Sequence, residues 1–221
     1  MTIEQSLVSA CPDWSSDGPA TREGSFRDSV AAAYRLVEQA AGNHAVRSEE
    51  CCQWHKAMFA RHVPLDYYAG NYRQVDPRRP CLNVNVEVAG QPGEAAANVP
   101  DAMQLLFDQT GRPLANLRLL WSGLPPPERA KRVAIVLAYL VGRFIQVHPF
   151  VNGNGRTSRL LWVWGLLRFG VPPQVRIRTH PENPDYDRVM AQAMSGDFVP
   201  LALFILTHLV AEPPDGAAPN M

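Results

Sequence analysis

The run His148-Pro149-Phe150-Val151-Asn152-Gly153-Asn154-Gly155-Arg156-Thr157-Ser158-Arg159 places a histidine, two asparagines, two glycines and two arginines between strongly apolar flanks. Polar, glycine-rich loops between buried segments are where function concentrates. Glycine lets backbone N–H groups approach an anion with no Cβ in the way. A helix starting inside the run, as the stretch Leu160–Leu167 suggests, would aim its first N–H groups and its dipole at the same anion. Arginines fork onto phosphate oxygens. His148, a few residues upstream, can take a proton near neutral pH. Together these residue types read as a phosphate site with a proton acceptor beside it, and the chemistry is nucleotide-dependent group transfer.

Such a loop needs rigid elements on both sides. Pro125-Pro126-Pro127-Glu128 opens a long helix running to Val147, because proline suits a helix start. The spacing predicts the next helix over Arg156–Phe169, with Gly170 as its C-cap. Val133–Val147 and Leu160–Phe169 are apolar nearly all round, which marks central buried helices joined by the loop. Upstream, Val30, Tyr34, Val37 and Ala41 recur at helical spacing within Ser25–Ala41. Ser48-Glu49-Glu50 opens another helix that Pro64 stops. Val99–Gln109 reads as a short helix and Arg112–Gly123 as a second helix or a loop. Asp185–Ser195 and Pro200–Leu209 complete the set, with a short helix near Ile3–Ser9. Between Tyr68 and Pro92, Leu82, Val84, Val86 and Val88 alternate with Asn83, Asn85 and Glu87. That period of two predicts a short strand or hairpin.

The 221 residues divide into an arm over 1–24, a domain over 25–210 and a Pro-rich tail over 211–221. Lys+Arg and Asp+Glu are both 21, so no general attraction to nucleic acid or membrane is expected. The longest apolar stretch, Val133–Gly142, is too short for a membrane span. Cys11, Cys51, Cys52 and Cys81 lack C-x-x-C spacing and are expected to be reduced thiols in a cytosol. No secretory leader is expected, while delivery into a host cell by a specialised system would leave no readable trace. The remaining histidines, His44, His55, His62, His180 and His208, lack metal-ligand pairing. His180-Pro181-Glu182-Asn183 is a candidate border of a base pocket.

The run resembles the Fic/Doc signature HxFx[D/E]GNGRxxR, matching at His148, Phe150, Gly153, Asn154, Gly155, Arg156 and Arg159. The resemblance implies a mainly α fold, a Fic-type helical bundle with a small β-hairpin flap. It implies protein adenylylation: His148 is the general base, taking the proton of a Ser, Thr or Tyr hydroxyl that attacks the α-phosphate of ATP. Gly153, Asn154 and Gly155 would hold the α-phosphate, Arg156 the β-phosphate region and Arg159 the γ-phosphate. Phe150 would anchor the loop in the core. Gly70-Asn71-Tyr72-Arg73 with the strand after it resembles the flap and its approach. Leu82, Asn83, Val84, Asn85 and Val86 would dock the target as an added strand. Asn152 departs from the pattern, since the family usually has a carboxylate there to hold Mg2+. An amide oxygen is a weaker ligand for a hard cation and equally a helix N-cap. The expectation is weakened but real metal use. Transfer of phosphate, UMP or phosphocholine, and a binding role with weak catalysis, remain as alternatives.

The inhibitory motif [S/T]xxxE[G/N] of many relatives has no match here. Glu23-Gly24 has Pro19 four residues earlier, and Glu182-Asn183 has Arg178. The resemblance leaves a degenerate version at Glu23, a separate antitoxin-like chain, or a free toxin or effector. It also allows a homodimer.

Overall fold

The computed structural model describes residues 11–15, 24–43, 46–173 and 184–210. Among them are seven α-helices: α1 (Gly24–Asn43), α2 (Ser48–Phe59), α3 (Val99–Leu120), α4 (Pro126–Val147), α5 (Asn154–Arg168), α6 (Pro184–Met194) and α7 (Val199–Val210). The arm's expected helix near Ile3–Ser9, the segment 180–183, Glu23 and the tail lie outside the described residues.

Helix α4 is the hub, with α3, α5, α6 and α7 all packed on it. Val133, Leu137, Val141 and Phe144 are essentially inaccessible along its length. Helix α5 is buried on every side, from Asn154 to Leu166 except Gly155. Gly165 lets Leu137 of α4 approach the α5 backbone, because a Cβ there would collide with the leucine methyls. Helices α1 and α2 pack on each other and on the other side of α5. Arg47, not Ser48, is the N-cap of α2, and its amide donates to the Glu50 carboxylate at 2.7 Å.

The fold is the mainly α bundle expected, and two local expectations change. The short helix at Val99–Gln109 and the segment after it form the single helix α3, with Pro113 inside it. Proline removes one N–H there, but Leu106, Phe107, Leu114 and Leu117 are buried on both sides of it. Tertiary packing outweighs the local break. The β element is also displaced. Its ladder is only Glu87–Val88 paired antiparallel with Gln91–Pro92 around the left-handed turn Ala89-Gly90. Leu82 ends a 3-10 turn instead, buried with Tyr68 and Cys81 in a small satellite core.

The cysteine expectation is corrected as well. Cys11 and Cys81 form a disulfide, with Cα atoms 5.5 Å apart across 70 residues of sequence, while Cys51 and Cys52 are free thiols. Nothing in the sequence spacing pairs these two; the fold does, by laying residues 11–15 over the satellite core. Under denaturing, non-reducing conditions, thiol titration should count two thiols rather than four. Cys81→Ser should lower the unfolding free energy by roughly 2–4 kcal/mol in a denaturant melt.

Candidate active site

The signature loop occupies the turn between α4 and α5. His148 is the C-cap of α4, held in the left-handed region at φ 49° with its amide donating to the Phe144 carbonyl at 3.0 Å. Helices commonly end this way on glycine. A histidine there turns the chain and presents an imidazole at the turn, at a cost in backbone strain typical of functional sites. Its Nδ1 is buried, with no hydrogen-bond partner of normal geometry among the described residues. Burial first, and the positive charge of Arg73 second, push its pKa down to about 4; a backbone contact with Ile145 opposes them. The imidazole is therefore neutral at physiological pH and can accept a proton.

The rest of the loop is tied to the interior. Phe150 is fully buried and stacks on His55 with ring centroids 3.7 Å apart. The Asn154 side chain accepts from the Phe150 amide and donates to the Phe150 carbonyl, both at 2.9 Å. The Asn154 side chain thus closes the loop upon itself. His55 lies inaccessible beneath the turn. Its Nδ1 accepts from the Gly70 amide at 2.9 Å, so its other nitrogen carries the hydrogen and donates to the Asn152 carbonyl at 3.0 Å. Burial lowers the His55 pKa to about 3. Gly153 has φ 79°, and a Cβ there would collide with the Phe59 ring.

Asn152 uses both ends of its amide. Its Oδ1 accepts from the Gly153 N–H at 2.6 Å, and its Nδ2 donates to the Trp14 carbonyl at 2.7 Å. Trp14 itself wedges edge-on against His55 and Phe59 and stacks on Tyr68. A carboxylate could make the first bond and not the second. For Mg2+, which favours carboxylate oxygens, this donor set is a poor fit. The side-chain oxygen where the resemblance expects a metal-holding carboxylate is a neutral amide already accepting a hydrogen bond. No cluster of three or more His, Cys, Asp or Glu side chains suited to a metal occurs among the described residues.

Beyond the loop, α5 begins at Asn154, and its first capping bond runs from the Thr157 amide to the Gly153 carbonyl at 3.1 Å. The amides of Asn154, Gly155 and Arg156 precede it, in the turn where a helix binds anions. The two arginines point to different neighbours. Arg156 is buried, with its guanidinium 5.0 Å from the Phe26 ring centre and 5.8 Å from that of Phe59. Arg159 donates to the Gly155 carbonyl at 3.0 Å and lies 4.3 Å over the Tyr186 ring of α6. Both guanidiniums are thus oriented by aromatic faces, as cation–π geometry favours.

The flap lies directly beside the histidine. A Cβ on Gly93, just after the hairpin, would meet Val86 Cγ2 at 2.8 Å and His148 Cβ at 3.2 Å. Asn83, Asn85 and Glu87 are exposed, and Val84 and Val86 are half-buried, so the period of two survives. Leu82 is inaccessible, which removes it from the expected docking edge. Two residues central to this geometry have contacts the sequence did not assign, namely His55 beneath the loop and Arg73, read there only as part of the approach to the flap. Only the fold brings them to residues some 75–97 positions away.

The sequence matches the Fic/DOC family over residues 45–166, more than half the chain, and the protein belongs to that family. Among curated proteins, the protein adenylyltransferase Fic of Drosophila persimilis is 38% identical over 68 residues, which is 31% of this chain and 13% of that one. Its counterpart from Nematostella vectensis is 41% identical over 63 residues, covering 28% and 14% respectively. The match therefore spans only about an eighth of these relatives. Two solved structures share the fold. One is a Fic domain containing signaling protein from Bacteroides thetaiotaomicron, with TM-score 0.59 and 19% identity over 83% of this chain and 68% of that one. The other is the BepC protein of Bartonella tribocorum, a VirB-translocated effector with bound AMPPNP, with TM-score 0.54 and 14% identity over 82% and 84%.

Two outcomes follow from the loop's internal bonds. His55 binds a proton near pH 6.5 when unfolded and near pH 3 when folded. The unfolded state therefore takes up more protons between those values, and stability falls as pH drops below 6.5. Urea melts from pH 4 to 6.5 should show that slope reduced by about 1.4 kcal/mol per pH unit in His55→Gln. Asn152→Asp should lose the bond to Trp14 and destabilise the fold by about 1–2 kcal/mol at neutral pH, read in the same melts.

Proposed function

We propose that the protein is a Fic-type transferase that moves AMP from ATP to a Ser, Thr or Tyr hydroxyl of a target protein. The observation that carries this reading is the placement of His148. A neutral, mostly buried imidazole stands between the flap's Gly93 and the loop leading into the first turn of α5. In the reaction His148 takes the hydroxyl proton, the oxygen forms a bond to the α-phosphorus, and the bond to pyrophosphate breaks. Phosphoryl-type transfer depends on positioning and charge stabilisation. The first-turn amides of Asn154, Gly155 and Arg156, with the Arg156 and Arg159 guanidiniums, are the groups assigned to the phosphates, and Gly153, its amide bonded to Asn152, turns the chain into them. Phe150 and the Asn154 side chain keep that turn fixed. The target lies along Asn83, Val84, Asn85 and Val86 as an added strand. No step is assigned to Mg2+, because the donor set at Asn152 does not suit it. An antitoxin-like inhibitor and a homodimer belong to the same reading as partners.

A second reading, nucleotide or protein binding with little catalysis, is favoured by one observation, the commitment of both ends of Asn152 to the protein itself.

Purified protein incubated with a cell lysate and α-labelled ATP should label protein, and His148→Ala should abolish the label by at least a hundredfold. Label from γ-labelled ATP instead would mean phosphate transfer. His148-independent label, or none from either nucleotide alongside measurable ATP affinity, would favour the binding role.

A further inference from the structure

Arg73 carries a charged side chain into the protein interior. It is 0% exposed. Its Nε donates to the His148 carbonyl at 2.8 Å, Nη1 to the Val84 carbonyl at 2.8 Å, and Nη2 to the carbonyls of Glu94 at 2.8 Å and Val147 at 2.9 Å. Its own amide donates to the Pro149 carbonyl at 2.7 Å. No carboxylate oxygen bonds it among the described residues; the Glu94 carboxylate faces Arg143 at 4.0 Å. Burial pulls its pKa down to about 10, with Glu94 opposing. A buried ion of this kind is costly, and apolar replacements of similar volume are often neutral or stabilising. An apolar replacement here would also leave four carbonyls without their donor, so the guanidinium does more than fill space.

The carbonyls it gathers show what that is. Val84 and Glu94 lie on the two arms of the flap; Val147 and His148 are the last turn and cap of α4. One planar fork spans all four, so flap and histidine are held at a single separation. Gly93 allows that separation to be short. We propose that Arg73 is a positioning residue for the transfer: its guanidinium fixes the flap, and any strand docked on it, against the His148 imidazole. The inference rests on the transferase reading for its purpose. Lysine could not substitute, since its three donors radiate from one point while the guanidinium's donors are spread across a plane.

Arg73→Lys keeps the charge and loses the fork; Arg73→Met loses both. Amide hydrogen exchange and the NMR titration of His148 read the consequence without any target protein. In Arg73→Lys, the amides of Gly93 and Glu94 should exchange at least tenfold faster while those of Leu160–Trp164 stay unchanged, and the His148 midpoint should remain low. In Arg73→Met, the same flap amides should loosen and the His148 midpoint should rise. The charge that bears on that midpoint is Arg73. Where the wild type labels protein, Arg73→Lys should cut transfer at least tenfold with the KM for ATP unchanged. Unchanged flap exchange in folded Arg73→Lys would overturn the proposal. So would uniform loosening of flap and core, which would mean that Arg73 only holds the fold together. A wild type that labels nothing would sink the transferase reading, and exchange at Gly93 and Glu94 would still decide whether the fork holds the flap.

Discussion

Main chain that turns inside a protein must find partners for its amides and carbonyls there, because an unmet polar group in the interior costs about 1–3 kcal/mol. The loop between α4 and α5 is such a chain. Pro149, Phe150, Gly153 and Asn154 are all buried, and helices cover both sides of the turn. Several of these needs are answered by specific side chains. Asn154 satisfies both polar groups of Phe150, His55 meets the Asn152 carbonyl, Asn152 meets the Gly153 amide, and Arg73 meets Val147 and His148. The residues that give the loop its chemical character are, in large part, the ones that let it be buried at all.

This explains how a neutral imidazole comes to be fixed in space without a carboxylate partner. A histidine in a conventional triad is oriented by an acid that also raises its basicity. Here orientation comes from the backbone, through the left-handed cap of α4 and the bonds to its carbonyl, while the adjacent guanidinium favours the uncharged form. The same logic accounts for Asn152. An amide that must accept from Gly153 and donate to Trp14 cannot be a carboxylate. Its departure from the family pattern coincides with a segment, residues 11–15, laid against the loop.

The helices around the site were legible because their apolar spacing is long and consistent: α4 and α5 run as expected from Pro125 onward and from the glycines of the loop. Phe150 as anchor was legible from the resemblance. What the sequence hid lies at long range. Local propensity at Gly111 and Pro113 argues for a break, yet both sit within one helix because its buried leucines continue across them. The alternation of Leu82–Val88 located a β segment, but the tight turn at Ala89-Gly90 set the ladder at its far end. His55 read only as a histidine without metal-ligand pairing, and Arg73 only as part of the approach to the flap. Their roles depend on contacts to residues far along the chain, and no local pattern encodes these.

The Cys11–Cys81 bond has a topological side. It closes the chain into a covalent ring that contains α1 and α2 but neither α4 nor α5. His55 is inside the ring and His148 outside it. A single peptide-bond cut anywhere within the ring opens it without releasing a fragment, so the two pieces travel as one molecule until a reductant separates them. The half of the site that supports the loop is thus protected against loss by proteolytic nicking, and the half that carries the base is not.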